Sequence, residues 1–573
     1  MGSSAAAREL RAALSAASEW GRSAPSAVRS SGAQPAQDVV RLLAREDDES
    51  SQSLSDKRCL TTVVSLLQED SAAVLGALQA LSTAVTAGIT PDVFGDYADR
   101  PNDWDASAAA DAHRSVAHTS LRACTLLLRG WAAAARRRAV PRVPAASSDT
   151  RLPRGVDQPL AEATIVEIDP SDLETSTPAS PEVQLSALRS AILAAAAHAA
   201  DDGMPAPWID APGAEAADAC LLAAGSVVGP RSAPAAPACA QYALGPLAAT
   251  LMRAPTAMQQ QPGGGALPHV PGPAETLARA VSARQLAALV RMCVGAGLSE
   301  VVPRAIYPVL ACLQDSSPVV QGLGLAALHH VAVKGLPSDL RPHQGVVLQQ
   351  ALRLATGCEA RVWPVCAPCC VALAAALGGA DDPRSLVHGK VMATLLAEGE
   401  RHSHDPYRRV PLLHSLVPMV QLTGLVTVAH FARLMPLLLG WLHALDAGTQ
   451  VGAARALCAV VRVSWPRVPV HARAVWEHAV VAVRELQGRN AAAHAAGTDA
   501  RAAVDALTPA QREVWEGLVV LGALLYLAGG ERFRANMEPG GEWGSREGMV
   551  GALCHVAVRA AEGLAGARPD GRA

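Results

Sequence analysis

Leu434, Leu437, Leu438, Trp441, Leu442 and Leu445 fall at i, i+3, i+4, i+7, i+8 and i+11. That spacing puts six large apolar side chains on one face of a single α-helix. Asp446-Ala-Gly-Thr449 then breaks the pattern, with Gly448 expected to supply an unusual backbone angle and Thr449 to cap the next helix. A second stripe, Val451, Ala454, Cys458 and Val461, predicts an antiparallel helix. Pro466 disfavours helical geometry at Trp465, so this helix should end near Ser464. Two helices of this kind cannot bury their apolar faces against each other alone. They need a stacked neighbour on either side, which is the logic of an α-solenoid.

A neighbour of the same shape lies upstream. Ala305–Leu313 predicts a short helix, Gln314-Asp-Ser-Ser-Pro318 a turn with Pro at the first helical position, and Val319–Val333 a buried second helix. Both segments run from a Pro-containing helix through an Asp-bearing turn into another helix, the layout of a HEAT repeat. Only 3% of residues are aromatic and no run alternates convincingly between apolar and polar, so the core must be built from Ala, Leu and Val on helices. The expected fold class is all-α, a HEAT/armadillo-like α-solenoid of stacked helical hairpins. Arg carries nearly all the positive charge, since Lys occurs only at 57, 334 and 390; this suggests a base-composition bias, and the Ala content has no functional meaning.

The 573 residues suffice for several domains or one long solenoid. Composition divides them into an N-terminal helical region (1–144), a flexible linker (145–182), a helical region with Pro/Gly-rich insertions such as QQQPGGG (183–275) and a C-terminal HEAT-like solenoid (276–573). The N-terminal half is expected to be the less regular. Gly488–Gly497 and Gly529–Gly544 are expected to be exposed loops. Thr177-Pro178 and Ser180-Pro181 are candidate phosphorylation sites in the linker.

A net charge of -3 and the lack of a basic stripe beyond Arg136–Arg138 argue against a dedicated nucleic-acid binder. The 12 Cys are scattered through apolar helical stretches and read as small buried hydrophobes, not as a disulfide framework. No unbroken apolar run reaches the roughly 18–20 residues that span a bilayer. The first 36 residues have the Ala/Ser/Arg bias of an organelle transit peptide, but Glu9 and Glu19 interrupt it.

Three clusters carry residues capable of chemistry. Cys366, Cys369 and Cys370 contain a CxxC, but a zinc site needs a second pair of ligands, and neither Cys358 nor His388 has a recognised spacing to them. His402-Ser-His404-Asp405 sits in a polar connector. His329 and His330 point about 100° apart on a helix, so one is expected buried and hydrogen-bonded and the other exposed. There is no phosphate-binding loop, dinucleotide fingerprint, GxSxG or HExxH. The reading is of a non-enzymatic chain without cofactor or metal.

Two segments carry a more specific likeness. LMPLLLGWLHALDAGTQ (434–450) with VRVSWPRVPVH (461–471), preceded by LACLQDSSPVVQGLGLAALHHV (310–331), resembles the HEAT region of the Tel-two-interacting protein two family over about Val302–His478. Gln321 stands where HEAT repeats often have a basic residue. The resemblance implies a scaffold subunit of the triple-T co-chaperone complex. Its partners would be the Tel-two protein and that protein's first interacting protein. It would act indirectly with the ninety-kilodalton heat-shock chaperone on phosphatidylinositol-kinase-related kinases, with no direct nucleic acid and no membrane. Cytoplasmic and nuclear localisation is implied by the same likeness. The positions matching the family signature are Trp441, His443, Asp446, Trp465 and Arg467, candidates for partner binding or for internal packing. The competing expectations are an organelle-targeted helical-repeat RNA-binding protein and a generic HEAT-repeat adaptor.

Overall fold

Helix succeeds helix from α1 (Gly2–Gly21) to the last, Gly548–Gly566, in a computed structural model, and no strand occurs among the described residues. Described are residues 2–21, 34–44, 63, 66, 71–87, 89, 108–139, 180–199, 206, 208–228, 235–252, 273–379, 381–490, 499–545 and 548–566. The expected linker up to residue 179, with Thr177, and the QQQPGGG segment lie outside them, as does most of the expected loop Gly488–Gly497. The chain divides into two compact units, residues 1–308 and 309–573.

The first unit is a two-layer stack. α1, α3 (Ser71–Ala87), α5 (Pro181–His198) and α8 (Pro273–Arg291) pack in succession as one layer. α2 (Gln34–Ala44), α4 (Ala108–Ala139), α6 (Ala211–Val228) and α7 (Ala235–Met252) pack in succession as the other. The segments on which the expected irregularity rested lie largely outside the described residues. Small side chains make the close packing possible: Ala194, Ala195, Ala196 and Ala197 on α5 are all fully buried. Ser180 caps α5, accepting from the Val183 N–H, and Pro181 occupies the first turn, where its missing N–H is harmless. The few large groups are tied down individually. Trp208 donates from Nε1 to the Ala197 carbonyl at 3.2 Å, the Arg284 guanidinium lies 5.6 Å over its ring, and the buried imidazoles of His113 and His198 meet at 3.0 Å.

α9 (Gly295–Leu313) carries the division between the units near its C-terminal end. Beyond it, α10 (Pro318–Lys334), a single turn α11 (Pro337–Leu340), α12 (Gln344–Ala355), α13 (Trp363–Gly378), α14 (Leu386–Arg401), α15 (Pro406–Thr423), α16 (Phe431–Trp441), α17 (Ala447–Val463), α18 (Val468–Arg489), α19 (Ala500–Asp505), α20 (Pro509–Ala528), α21 (Glu531–Met537) and α22 (Gly548–Gly566) build the second unit. α12, α14, α16 and α18 belong to a first layer; α10, α13, α15, α17, α20 and α22 pack in succession as a second. Each hairpin pairs a helix of one layer with a helix of the other. The chain is therefore an all-α, HEAT/armadillo-like stack of helical hairpins, the α-solenoid architecture.

Several expectations need correction. Asp446, not Thr449, caps α17: its carboxylate accepts from the Thr449 N–H at 2.8 Å, while Thr449 is buried inside the helix. Gly448 is ordinary helix, absent from the glycines with positive φ. Leu445 is 88% exposed, because α16 ends at Trp441 and the helical spacing lapses before Leu445 is reached. Gly529–Gly544 is not an exposed loop. It contains α21, and Phe533, Met537 and Trp543 are buried. Phe533 and Trp543 lie with ring centroids 6.4 and 6.2 Å from Trp476 and 5.3 Å from each other, so burial of three aromatic rings overrides the Gly-rich composition. Finally, Gly295–Leu313 and Pro406–Trp441 are long and apolar enough to cross a membrane by length and hydropathy. Glu300 and Arg304 interrupt the first, whereas residues 410–432 of the second carry no charge and are broken only by polar residues such as His414, Gln421 and Thr423. Of their most apolar windows, 56% and 44% are buried within the protein.

Candidate protein-interaction surface

The turns that join first-layer to second-layer helices all fall on one edge of the C-terminal stack, and a repeated device closes that edge. A helix C-terminus leaves its last carbonyls without intrahelical donors. Here, the last turns of α14, α16 and α18 each supply a donor to the carbonyls just beyond the preceding first-layer helix. Arg401 on α14 donates to Thr356 O at 3.1 Å, Trp441 Nε1 on α16 to Ser403 O at 3.3 Å, and Arg489 on α18 to Ala444 O at 3.0 Å. The partners are 45, 38 and 45 residues apart, one repeat each time. A second device works within the hairpin. Gln321 and Gln450, each four residues past a helix cap, donate back to the turn carbonyls of Asp315 and Leu442 at 2.7 and 2.8 Å. Gln321, at a position where HEAT repeats often have a basic residue, thus satisfies the turn. At α12 no such rung occurs among the described residues, and Arg353, in its last turn, lines an open polar cleft of about 500 Å³ with Gln314, Asp315 and Gln350.

The densest part of this edge is a buried carboxylate. Glu398, 2% exposed, pairs with Arg401 at 2.6 Å, and its other oxygen lies 3.7 Å from Arg408 and 3.5 Å from His402. Arg408 also donates to the Cys358 carbonyl and sits 5.7 Å over the Trp363 ring, whose Nε1 donates to Arg408 O at 3.0 Å. The His402–Asp405 connector is thus structural at both ends, since the Asp405 carboxylate caps α15 through the Tyr407 N–H at 3.0 Å.

Three of the five signature residues belong to this closed edge. Trp441 is buried and forms a rung of the ladder. Asp446 caps α17 and binds Arg409 at 2.9 Å. Partial burial pushes its carboxyl up, but hydrogen bonding from Thr449 and the Arg409 charge outweigh this and hold it below the ordinary carboxylate range. Half-buried His443 links the α16–α17 turn to α18: one ring nitrogen lies 3.2 Å from Glu485 Oε2, the other 2.9 Å from His478 Nδ1. Burial, then the neighbouring His443, depresses the His478 pKa.

The other two lie where α17 passes into α18. Trp465-Pro-Arg467 forms a 3₁₀ turn in which Trp465 is 66% exposed and Arg467 is also exposed, with Val470 beyond it at 79%. The turn is held from behind by an edge-to-face contact of His471 with Phe431, centroids 5.4 Å apart. The same opposite edge exposes Leu425, in the 3₁₀ stretch before α16, and Leu386, at the start of α14. These three large apolar residues recur about 40 residues apart, one per repeat. Periodic helix spacing in the sequence pointed to buried stripes and gave no signal for this row, which only the alternation of layers brings to one edge.

The remaining candidates are placed in the core. Cys366, Cys369 and Cys370 are buried on α13, and Cys366 hydrogen-bonds with Cys358 and Cys370. Hydrogen bonding from Cys366 lowers the Cys358 pKa, while burial raises that of Cys369. His388 is buried and its Nε2 lies 3.1 Å from the Ala374 carbonyl. His329 and His330 are both half-buried, instead of one in and one out, because both flank the buried face of α10. Burial, then His330, lowers the His329 pKa. Among the described residues no group of three or more His, Cys, Asp or Glu is arranged to hold a metal ion.

No protein-family model matches the chain. A protein of Arabidopsis thaliana, described as uncharacterized protein At2g39910, is 32% identical over 190 residues, 33% of this chain and 41% of that protein. The match therefore spans less than half of that relative's length. Among solved structures, the karyopherin Kap121p bound to the SUMO protease Ulp1p aligns with 90% of this chain and 42% of its own, at 13% identity and a TM-score of 0.44. Yeast importin-β, Kap95p, aligns with 97% of this chain and 60% of its own, at 14% identity and a TM-score of 0.43. The class that the helical layers themselves define is an all-α, HEAT/armadillo-like helical-repeat protein.

Proposed function

We propose that this chain is a scaffold subunit of the triple-T co-chaperone complex, holding the Tel-two protein and its first interacting protein. Through them it supports maturation of phosphatidylinositol-kinase-related kinases with the heat-shock chaperone, in the cytoplasm and nucleus. The observation that carries this reading is the periodic apolar row at Leu386, Leu425 and Trp465, extended by Val470 and bordered by Arg467. Exposed Trp and Arg are the residues most enriched at the energetic centres of protein interfaces. Two of the five signature residues lie in this row, and the other three hold the hairpins that present it. The scaffold acts by geometry: stacked hairpins fix the spacing of successive contacts, so one partner segment can engage several repeats at once.

The test is affinity purification of the tagged chain from its native cell, with nuclease treatment and quantitative mass spectrometry. Near-equal recovery of the Tel-two protein and its first interacting protein, lost in a Trp465→Ala/Arg467→Glu variant, is the expected result. Recovery of RNA and ribosomal proteins without a triple-T member overturns it in favour of an RNA-binding repeat protein. Retention of the triple-T partners by the double variant moves their contacts away from this row.

A further inference from the structure

The last described helix of the second layer has one face that the described residues cover only in part. On α22, Gly548, Gly551, Ala552, His555, Val556 and Arg559 fall at i, i+3, i+4, i+7, i+8 and i+11, a continuous stripe of the kind that earlier helices of this layer pack against a successor. Its opposite face, with Leu553, Cys554, Ala557 and Ala561, is buried. α20, α19, α18 and α21 are its neighbours. Between the stripe, α19 and Trp515 of α20 lies a cleft of about 560 Å³.

We infer that this cleft docks an amphipathic helix of a protein partner, seated by apolar side chains and flanked by acidic ones. Three features of the cleft define that occupant. Its floor is apolar, made by Val504, the buried Trp515, Ala552 and the exposed Val556. Small residues at the start of the stripe, Gly548, Gly551 and Ala552, allow a helix backbone to approach closely. The rim is basic: Arg501, Arg559 and His555 face it against a single carboxylate, Asp505, and neither arginine has an ion-pair partner among the described residues. An apolar face with an acidic border satisfies floor and rim together, in the helix-in-groove manner. The chain's own last residues, 567–573, carry Arg at 568 and 572 and one Asp, so charge opposes their occupying the cleft. This site depends on the C-terminal stack alone and not on the co-chaperone assignment.

The experiment uses the full chain and a labelled helical peptide of about 15 residues, roughly four turns, with Leu on one face and Glu along its borders. A Lys-bordered counterpart is the control. Fluorescence anisotropy should show the Glu peptide binding about tenfold or more tightly than the Lys peptide, an advantage that shrinks with salt. Arg501→Glu/Arg559→Glu should reverse the preference, and Gly551→Leu, which fills the floor, should abolish binding of both. Circular dichroism and the melting temperature check that the variants fold; both arginines are exposed, so their replacement leaves the fold intact. Equal binding of the two peptides, or an unchanged preference in the double arginine variant, overturns the inference. So does Glu-peptide binding that appears only after residues 567–573 are removed, which assigns the cleft to the chain's own end. A dimer in sedimentation that the arginine variant dissolves assigns it to a second copy and also overturns it. None of these results bears on triple-T recovery, so the two readings fail separately.

Discussion

The two edges of the C-terminal stack are built from the same hairpins but differ in how their polar groups are closed, although the sealed edge also exposes Leu445 and Tyr407. At the edge carrying the Asp405 and Asp446 turns, helix-end carbonyls, caps and a buried carboxylate find partners in neighbouring repeats. At the other edge, Leu386, Leu425, Trp465 and Val470 stand largely in solvent. The difference separates what holds the repeats in register from what they leave in solvent. A signature residue therefore cannot be assigned from its sequence neighbourhood, since Trp441 and Trp465 lie in adjoining hairpins yet on opposite sides of this division.

The sharpest way to break the closed edge is to remove its buried carboxylate. Glu398→Ala leaves Arg408 short of its charge partner in a mostly buried site, with only Asp405 at 3.8 Å to compensate. A loss of about 3 kcal/mol is expected in urea unfolding, and an unchanged midpoint would show that the node is dispensable. Next come the smaller elements of the same edge. Asp446→Ala removes both the α17 cap and the Arg409 pair and should lower stability by about 1–2 kcal/mol. Trp441→Phe keeps the ring packing but deletes the donor to Ser403 O, for about 1 kcal/mol by the same assay.

Acid should loosen this edge too. The folded-state pKa of His478 is depressed below its ordinary value of 6.5, so folding favours the neutral ring. Its contribution is complete above about pH 6.5 and is lost as pH falls through the depressed value. The melting temperature should therefore drop more between pH 7.5 and 5.5 in the native chain than in His478→Gln; parallel curves would exclude the His443–His478 contact as the source. The smallest effect on stability belongs to the open edge. Trp465→Ala should change unfolding by about 0.5 kcal/mol or less, as for exposed positions generally, while reducing partner recovery. A large stability loss with normal recovery would move Trp465 to the closed edge in function, and the contrast would collapse.

Helical periodicity made the second layer legible before any coordinates. Val451, Ala454, Cys458 and Val461 are buried, but so are Gln450, Ala453, Ala456, Leu457 and Val460, so α17 is covered nearly all round and not on one stripe; it stops at Val463 before the Trp465-Pro466 pair. Leu434, Leu438, Trp441 and Leu442 are likewise buried. Local rules failed where a second chain segment decided the outcome. The Gly529–Gly544 stretch reads as loop until Trp476, some sixty residues earlier, supplies the ring against which Phe533 and Trp543 pack. The candidate site was half legible: its residues could be named, but not divided between core and surface.

By itself the sequence determined that this chain is helical, where its hairpins turn, and that their stripes need stacked neighbours. These properties arise from spacings of three and four residues and from cap and proline chemistry, which act within a single helix. Only the tertiary structure decided which ends of the helices are sealed and which are exposed. Hydrogen bonds such as Arg401 to Thr356 and Arg489 to Ala444 join residues a full repeat apart, and no local pattern encodes them. The stacking of repeats consumes polar groups of one edge and leaves Leu386, Leu425, Trp465 and Val470 of the other exposed.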